Sequence, residues 1–211
     1  MSIALERSVG GFFHEVVGEA VRTRQVDATE EATSYLVALL TDFAHPDPGR
    51  GSALDQPLAF LLDEAFRTAG AERFQKLRTL GDGVLYLSGF FGDHIETRGV
   101  DVAYVTSVGA TAYRGVASML QHPDGASRRR TTDESSDQAA EESVFSELAI
   151  KFHQFVEVLA VVAETTLAQQ AKTERGVLKL YERWLRSGSA TLAKELGLRG
   201  IVPVRGTSGV H

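Results

Sequence analysis

The stretch FSELAIKFHQFVEVLAVVA, Phe145 to Ala163, decides the fold. Phe145, Leu148, Phe152, Phe155, Leu159 and Val162 recur three and four residues apart, which lays one continuous apolar seam along an α-helix. From Phe155 to Ala163 eight of nine residues are apolar, so neighbours must surround this section on most sides. Glu157 is the exception, and His153 lies one turn before it on the same face. The spacing predicts a long central helix over about 139–172, with the other elements packed around it.

The same periodicity extends outward in both directions, and strand alternation is nearly absent. A first helix is expected from about Ile3 to Arg24, carrying Phe12, Phe13, Val16, Val17, Ala20 and Val21 inward. A second begins at DATE, where Asp27 can cap and Glu30 sits at the capping-box position. The prolines and glycines of HPDPGRGS, His45 to Ser52, break the chain. Asp55 and Pro57 open a third helix with Leu58, Leu61, Leu62, Ala65 and Phe66 inward. A fourth starts near Ala71, and a fifth begins at Asp101 as N-cap and reaches about Gln121. Residues 122–138 hold no aliphatic side chain larger than alanine and read as a mobile loop. A last helix starts near Thr173, is interrupted near Gly188 and stops at Gly197. The fold class expected is all-α: a single-domain bundle of about seven helices over residues 1–204, with a disordered tail at 205–211.

Composition narrows the function. The chain has no cysteine, which removes disulfides, Cys-ligated zinc and cysteine nucleophiles. The N-terminus lacks the pattern of a signal peptide and no apolar run is long enough to span a bilayer, so a cytoplasmic protein is expected. The net charge of −6 argues against a nucleic-acid partner. That charge is uneven: Lys172 to Arg199 holds seven Lys/Arg against three Glu, giving +4, and the remainder carries −10. Arg175, Lys179, Arg183 and Arg186 form a stripe there, suited to an acidic protein surface.

Between Thr79 and Asp101 the chain reads TLGDGVLYLSGFFGDHIETRGVD, with five glycines among acids and aromatics. Gly81, Ser88 and Gly92 share one side of the fourth helix, and Ser107, Thr111 and Gly115 one side of the fifth. Small faces of this kind allow a close crossing, followed by a turn bracketed by Gly92 and Gly99. Asp82, Tyr86, His94 and Glu96 are the candidate ligand-binding residues of this stretch, to be joined by His153 and Glu157. His94, His153 and Glu157 are the possible metal ligands among them, although Glu-x-x-His and His-Glu-x-x-His motifs are both missing. Arg78, four residues before Asp82, offers the simpler alternative of a local ion pair. GDGVLY has Tyr86 where a dinucleotide loop needs glycine, GRGSALD lacks the lysine of a phosphate loop, and no Gly-x-Ser-x-Gly occurs. TLAKELGLRG resembles the start of a helix-turn-helix but is followed by Pro203 and too short a tail.

These features point to a non-enzymatic helical bundle acting through protein–protein contacts in a regulatory or accessory role. The expected partner is another protein or a second copy in a homodimer, with no cofactor. The alternative is a helical binding protein or enzyme with a metal, such as a divalent ion, or a small ligand between the fourth, fifth and sixth helices.

Overall fold

A computed structural model describes residues 2–45, 56–97, 99–121 and 132–204, with the side chains of 2–8, 93–94 and 132–138 outside the description. All regular structure among the described residues is helical: α1 Ser2–Arg24, α2 Glu30–Ala44, α3 Leu58–Arg67, α4 Gly70–Thr97, α5 Val102–Gln121, α6 Thr132–Ile150, α7 Phe152–Gln170, α8 Glu174–Ser187 and α9 Ala190–Leu198. The all-α class is as expected, and the nine helices among the described residues differ from about seven for two local reasons. The predicted central helix is divided at Lys151, and the last one at Gly188. Across Lys151 the i→i−4 ladder continues, from Lys151 N–H to Glu147 O at 2.8 Å and from Phe155 N–H to Lys151 O at 3.0 Å. The apolar period therefore runs through undisturbed, and all six seam residues are buried. No described helix is long and apolar enough to cross a membrane.

The chain divides into two compact units, residues 1–159 and 160–211, where the sequence reads as a single domain. Helical periodicity reports which face is buried, and it is the same on both sides of that division. Residues 132–138, which composition assigns to the loop, are helical, while 122–131 and the tail 205–211 lie outside the described residues.

In the N-terminal unit α1 packs on α2, α3 on α4, and α5 against both α4 and α6. The α4–α5 hairpin is the spine. Its α4 strut runs on to Thr97 through a kink at Phe91 (φ −128°, ψ 22°), past Gly92 where the sequence suggests a turn. It ends in a Schellman motif: Gly99 takes φ 71°, its N–H reaches Glu96 O at 2.9 Å, and Val100 N–H reaches Ile95 O at 3.3 Å. Asp101 then caps α5 through Ala103 N–H at 2.8 Å.

The close crossing is present: Gly81 and Gly115 of the small-residue pattern take part in it, Gly89 and Gly109 join them, and Gly92 and Ser107 do not. A methyl group at Gly81 would strike the Tyr113 ring at 2.6 Å, and one at Gly115 would meet Leu77 at 2.8 Å. At Gly89 it would collide with Leu159, and at Gly109 with Phe152. Gly92 has nothing within 4 Å, and Ser107 faces solvent. Phe66, expected inward on α3, is 41% exposed, with one ring edge over Gly115.

At the start of α2 the cap is Thr29 in place of Asp27. Its hydroxyl accepts from Ala32 N–H at 3.1 Å and donates to Glu147 at 2.5 Å, and its own N–H reaches Glu147 at 3.1 Å. Both residue types can cap. The carboxylate on α6, 118 positions away, favours Thr29, while the Asp27 carbonyl accepts from Lys151. The third helix starts at Leu58 with Pro57 as N-cap, and Asp55 lies outside the described residues.

Candidate functional site

Asp82 is the centre of a polar cluster that ties three helices together. Its Oδ1 accepts from Tyr35 of α2 at 2.6 Å and from Tyr113 of α5 at 2.8 Å. Arg78, one turn earlier on α4, donates through Nε to the Tyr35 hydroxyl at 3.2 Å and sits 5.5 Å from the centre of that ring. The expected Arg78–Asp82 pair exists but is long, 3.7 Å to Oδ2, so the phenols are the primary partners. Gly81 makes this possible, since the Tyr113 ring lies where its Cβ would be. Tyr35, Tyr113 and Phe145 stand edge-on or tilted to one another at 5.3 to 6.4 Å. These rings withdraw the carboxyl from water, leaving its side chain 21% exposed.

Burial dominates the electrostatics here. It pushes the Asp82 carboxyl above the usual range, and the negative charge of Asp42 adds to this, against the opposing pull of the phenol bonds and Arg78. Burial also raises both tyrosines well above an ordinary phenol, with the charge of Asp82 reinforcing the shift. Both phenols therefore stay protonated and act as donors. Chemically this is a closed clasp. Both donors converge on one oxygen, and Arg78 stands beside the other.

The remaining candidates stand apart from it. Tyr86 lies in an aromatic stack with Phe43 at 4.2 Å and Phe90 at 4.8 Å, and burial raises its phenol. Glu96 is exposed, and the side chain of His94 lies outside the described residues. His153 and Glu157 meet each other at 3.4 Å, with Arg24 at 3.7 Å from Glu157, and the His153 side chain is 75% exposed. Among the described residues no group of three or more His, Asp or Glu is arranged to hold a metal ion.

The C-terminal unit presents a different surface. Its core is Ala168, Leu180, Trp184, Leu192 and Leu196. Thr173 caps α8 through Gly176 N–H, and Gly188, at φ 66°, closes the helix onto Trp184 O. Ser189 opens α9 and donates to the buried Glu164 at 2.5 Å. Arg199 donates to the Ala168 and Ala171 carbonyls and so ties α9 to the end of α7. Of the basic stripe, Arg175, Lys179 and Arg186 are exposed and Arg183 is half-buried. On the same outward side Leu178 is 57% exposed and Leu185 43%. Beside them runs an open groove of about 630 Å³, lined by Val177, Leu178, Tyr181 and Ile201 and by Lys172, Thr173, Glu174 and Arg199.

No family model, curated protein or solved structure matches this chain. The site must be judged on its own residues. Tyr35 and Tyr113 escape a sequence reading because they reach Asp82 from 47 and 31 positions away. The available signal was an acid flanked by Gly81 and Gly83 inside a helical pattern, which marks a backbone approached by something large.

Proposed function

We propose that the chain is a non-enzymatic helical protein that works through protein–protein contacts, with its C-terminal unit as the docking part. The observation that carries this reading is the outward face of α8. Leu178 and Leu185 stand seven residues apart there, flanked by Arg175, Lys179, Glu182 and Arg186, while Leu180 and Trp184 fill the core behind. A helix that serves only its own core is polar on its outward face. Fully burying a leucine is worth about 1.5–3 kcal/mol, and with Leu178 57% and Leu185 43% exposed a partner covering the pair would gain about half of that at each position. The cations around it would select the sign of the partner's charge. The Asp82 cluster favours the same reading from the other side, because both phenols are committed to one Asp82 oxygen and Arg78 Nε to the Tyr35 hydroxyl.

The test is site-specific photocrosslinking in the native host. A photoreactive residue in place of Leu178 should yield a discrete adduct that is lost in an Arg175→Glu/Lys179→Glu background. The same residue at exposed Glu72 on α4 serves as control. Equal, diffuse labelling at both positions would sink the docking reading.

A further inference from the structure

We infer that the partner of the α8 face is a second copy of this chain, engaged through its acidic N-terminal unit; this rests on the docking reading above. The division of charge follows the division of the fold. Residues 1–159 hold 14 Lys/Arg against 24 Asp/Glu, a net −10, whereas residues 160–211 hold 8 against 4, a net +4. Each copy therefore carries both members of a complementary pair. The net −6 of the whole chain repels another copy only at long range, and salt screens that repulsion beyond a Debye length of about 8 Å. At contact distance the local signs govern, and a basic face meets an acidic one favourably.

The chemistry of the face fits such an occupant in three respects. Arg175 and Lys179 lie one turn apart and are exposed, so they would meet carboxylates one turn apart on a facing helix. Exposed Glu15 and Glu19 on α1 have that spacing, and the Glu19–Arg22 bond is a surface pair of small value. The groove beside Leu178 combines an apolar wall of Val177, Leu178, Tyr181 and Ile201 with the cations Lys172 and Arg199 and with Thr173 and Glu174, so it offers a facing helix both apolar contact and positive charge. Glu174 and Glu182 share the α8 face with the cations and would exclude a purely polyanionic partner such as nucleic acid, whose uniform charge they would oppose. Made reciprocally about a two-fold axis, the contact is isologous and closes into a dimer; made once per pair of copies it is heterologous and extends into rings or longer assemblies.

The experiment is sedimentation velocity on the full chain from about 1 to about 100 µM, the range in which a modest interface associates. It is repeated at about 0.05 M and about 0.5 M salt, between which the Debye length shrinks from about 14 to about 4 Å. The expected result is concentration-dependent association that weakens at high salt. Arg175→Glu/Lys179→Glu should weaken it about tenfold or more with the helical signal and Tm unchanged. Leu178→Glu provides a second variant at an exposed position, tests the apolar part and should do the same. Mixing the Arg175→Glu/Lys179→Glu chain with a Glu15→Lys/Glu19→Lys chain should restore association. A chain that stays monomeric throughout overturns the inference, as does association indifferent to all three variants. If crosslinking at Leu178 captures a different protein while the chain stays monomeric, docking stands and self-association falls.

Discussion

Replacing Gly81 by alanine tests how the Asp82 cluster is assembled. The added methyl would lie 2.6 and 2.7 Å from the Tyr113 Cε1 and Cδ1 atoms and 3.1 Å from Cζ. Ordinary carbon–carbon contact begins near 3.5 Å, so the ring must retreat by about 0.8 Å or more. It has little room, being fully buried with Phe145 and Phe152 at 5.7 and 5.8 Å from its centre. Overpacking of this kind costs about 1–3 kcal/mol. The retreat also carries the hydroxyl away from Asp82, and a lost bond to a carboxyl costs about 1.5–3 kcal/mol. Alanine returns about 1 kcal/mol of helix propensity. The net expectation is a loss of about 1.5–5 kcal/mol, measured by urea unfolding with an unchanged slope. In a Tyr113→Leu background the obstacle is gone, and Gly81→Ala should be neutral or stabilising by up to about 1 kcal/mol. A Tyr113→Phe background keeps the ring without its hydroxyl and should retain only the overpacking part of the cost. If the effects of Gly81→Ala and Tyr113→Leu add within about 0.5 kcal/mol, the glycine does not seat this ring and the reasoning fails.

Three other outcomes follow from the same geometry. Gly89→Leu should destabilise by several kcal/mol because Leu159 occupies the space, while Gly92→Leu, with nothing within 4 Å, should change stability by less than about 1 kcal/mol; equal effects in thermal melts would contradict the packing described. Gln25 holds φ 53° at the Schellman end of α1, so Gln25→Gly should raise stability by about 0.5–1 kcal/mol, and a loss would show that its side chain matters more than its backbone. Acid titration should separate two carboxyls of opposite sign. Asp82, raised above 3.8 when folded, contributes stability that is full below that value and is lost as pH rises through its folded pKa, so the gap between wild type and Asp82→Asn should narrow from acidic to neutral pH. Glu147 behaves oppositely: burial alone would raise it, but bonds from Thr29 and Lys151 hold it below 4.5, so its contribution appears as pH rises and the gap to Glu147→Gln should widen. Parallel stability–pH curves for all three proteins would refute both assignments.

Much of the fold is legible along the chain because helices are local objects. The seam from Phe145 to Val162 is buried along its whole length, the interruption near Gly188 divides α8 from α9, and Asp101 caps α5. Each of these depends on residues within a turn or two of one another. The acid at 82 was visible as an anomaly for the same reason, since glycines beside it conflict with helix propensity.

The sequence by itself determined that this chain is all-α, roughly where its helices start and stop, and that its net positive segment lies between Lys172 and Arg199. Only the tertiary structure decided what each buried face is buried against. It brought Tyr35 and Tyr113 to Asp82, sent His153 and Glu157 to an exposed pair, chose Thr29 over Asp27 through Glu147, and divided the chain into two units. The physical reason is the same in every case. A 3.6-residue period records that a side chain leaves water, and carries no record of the distant side chain that takes the water's place.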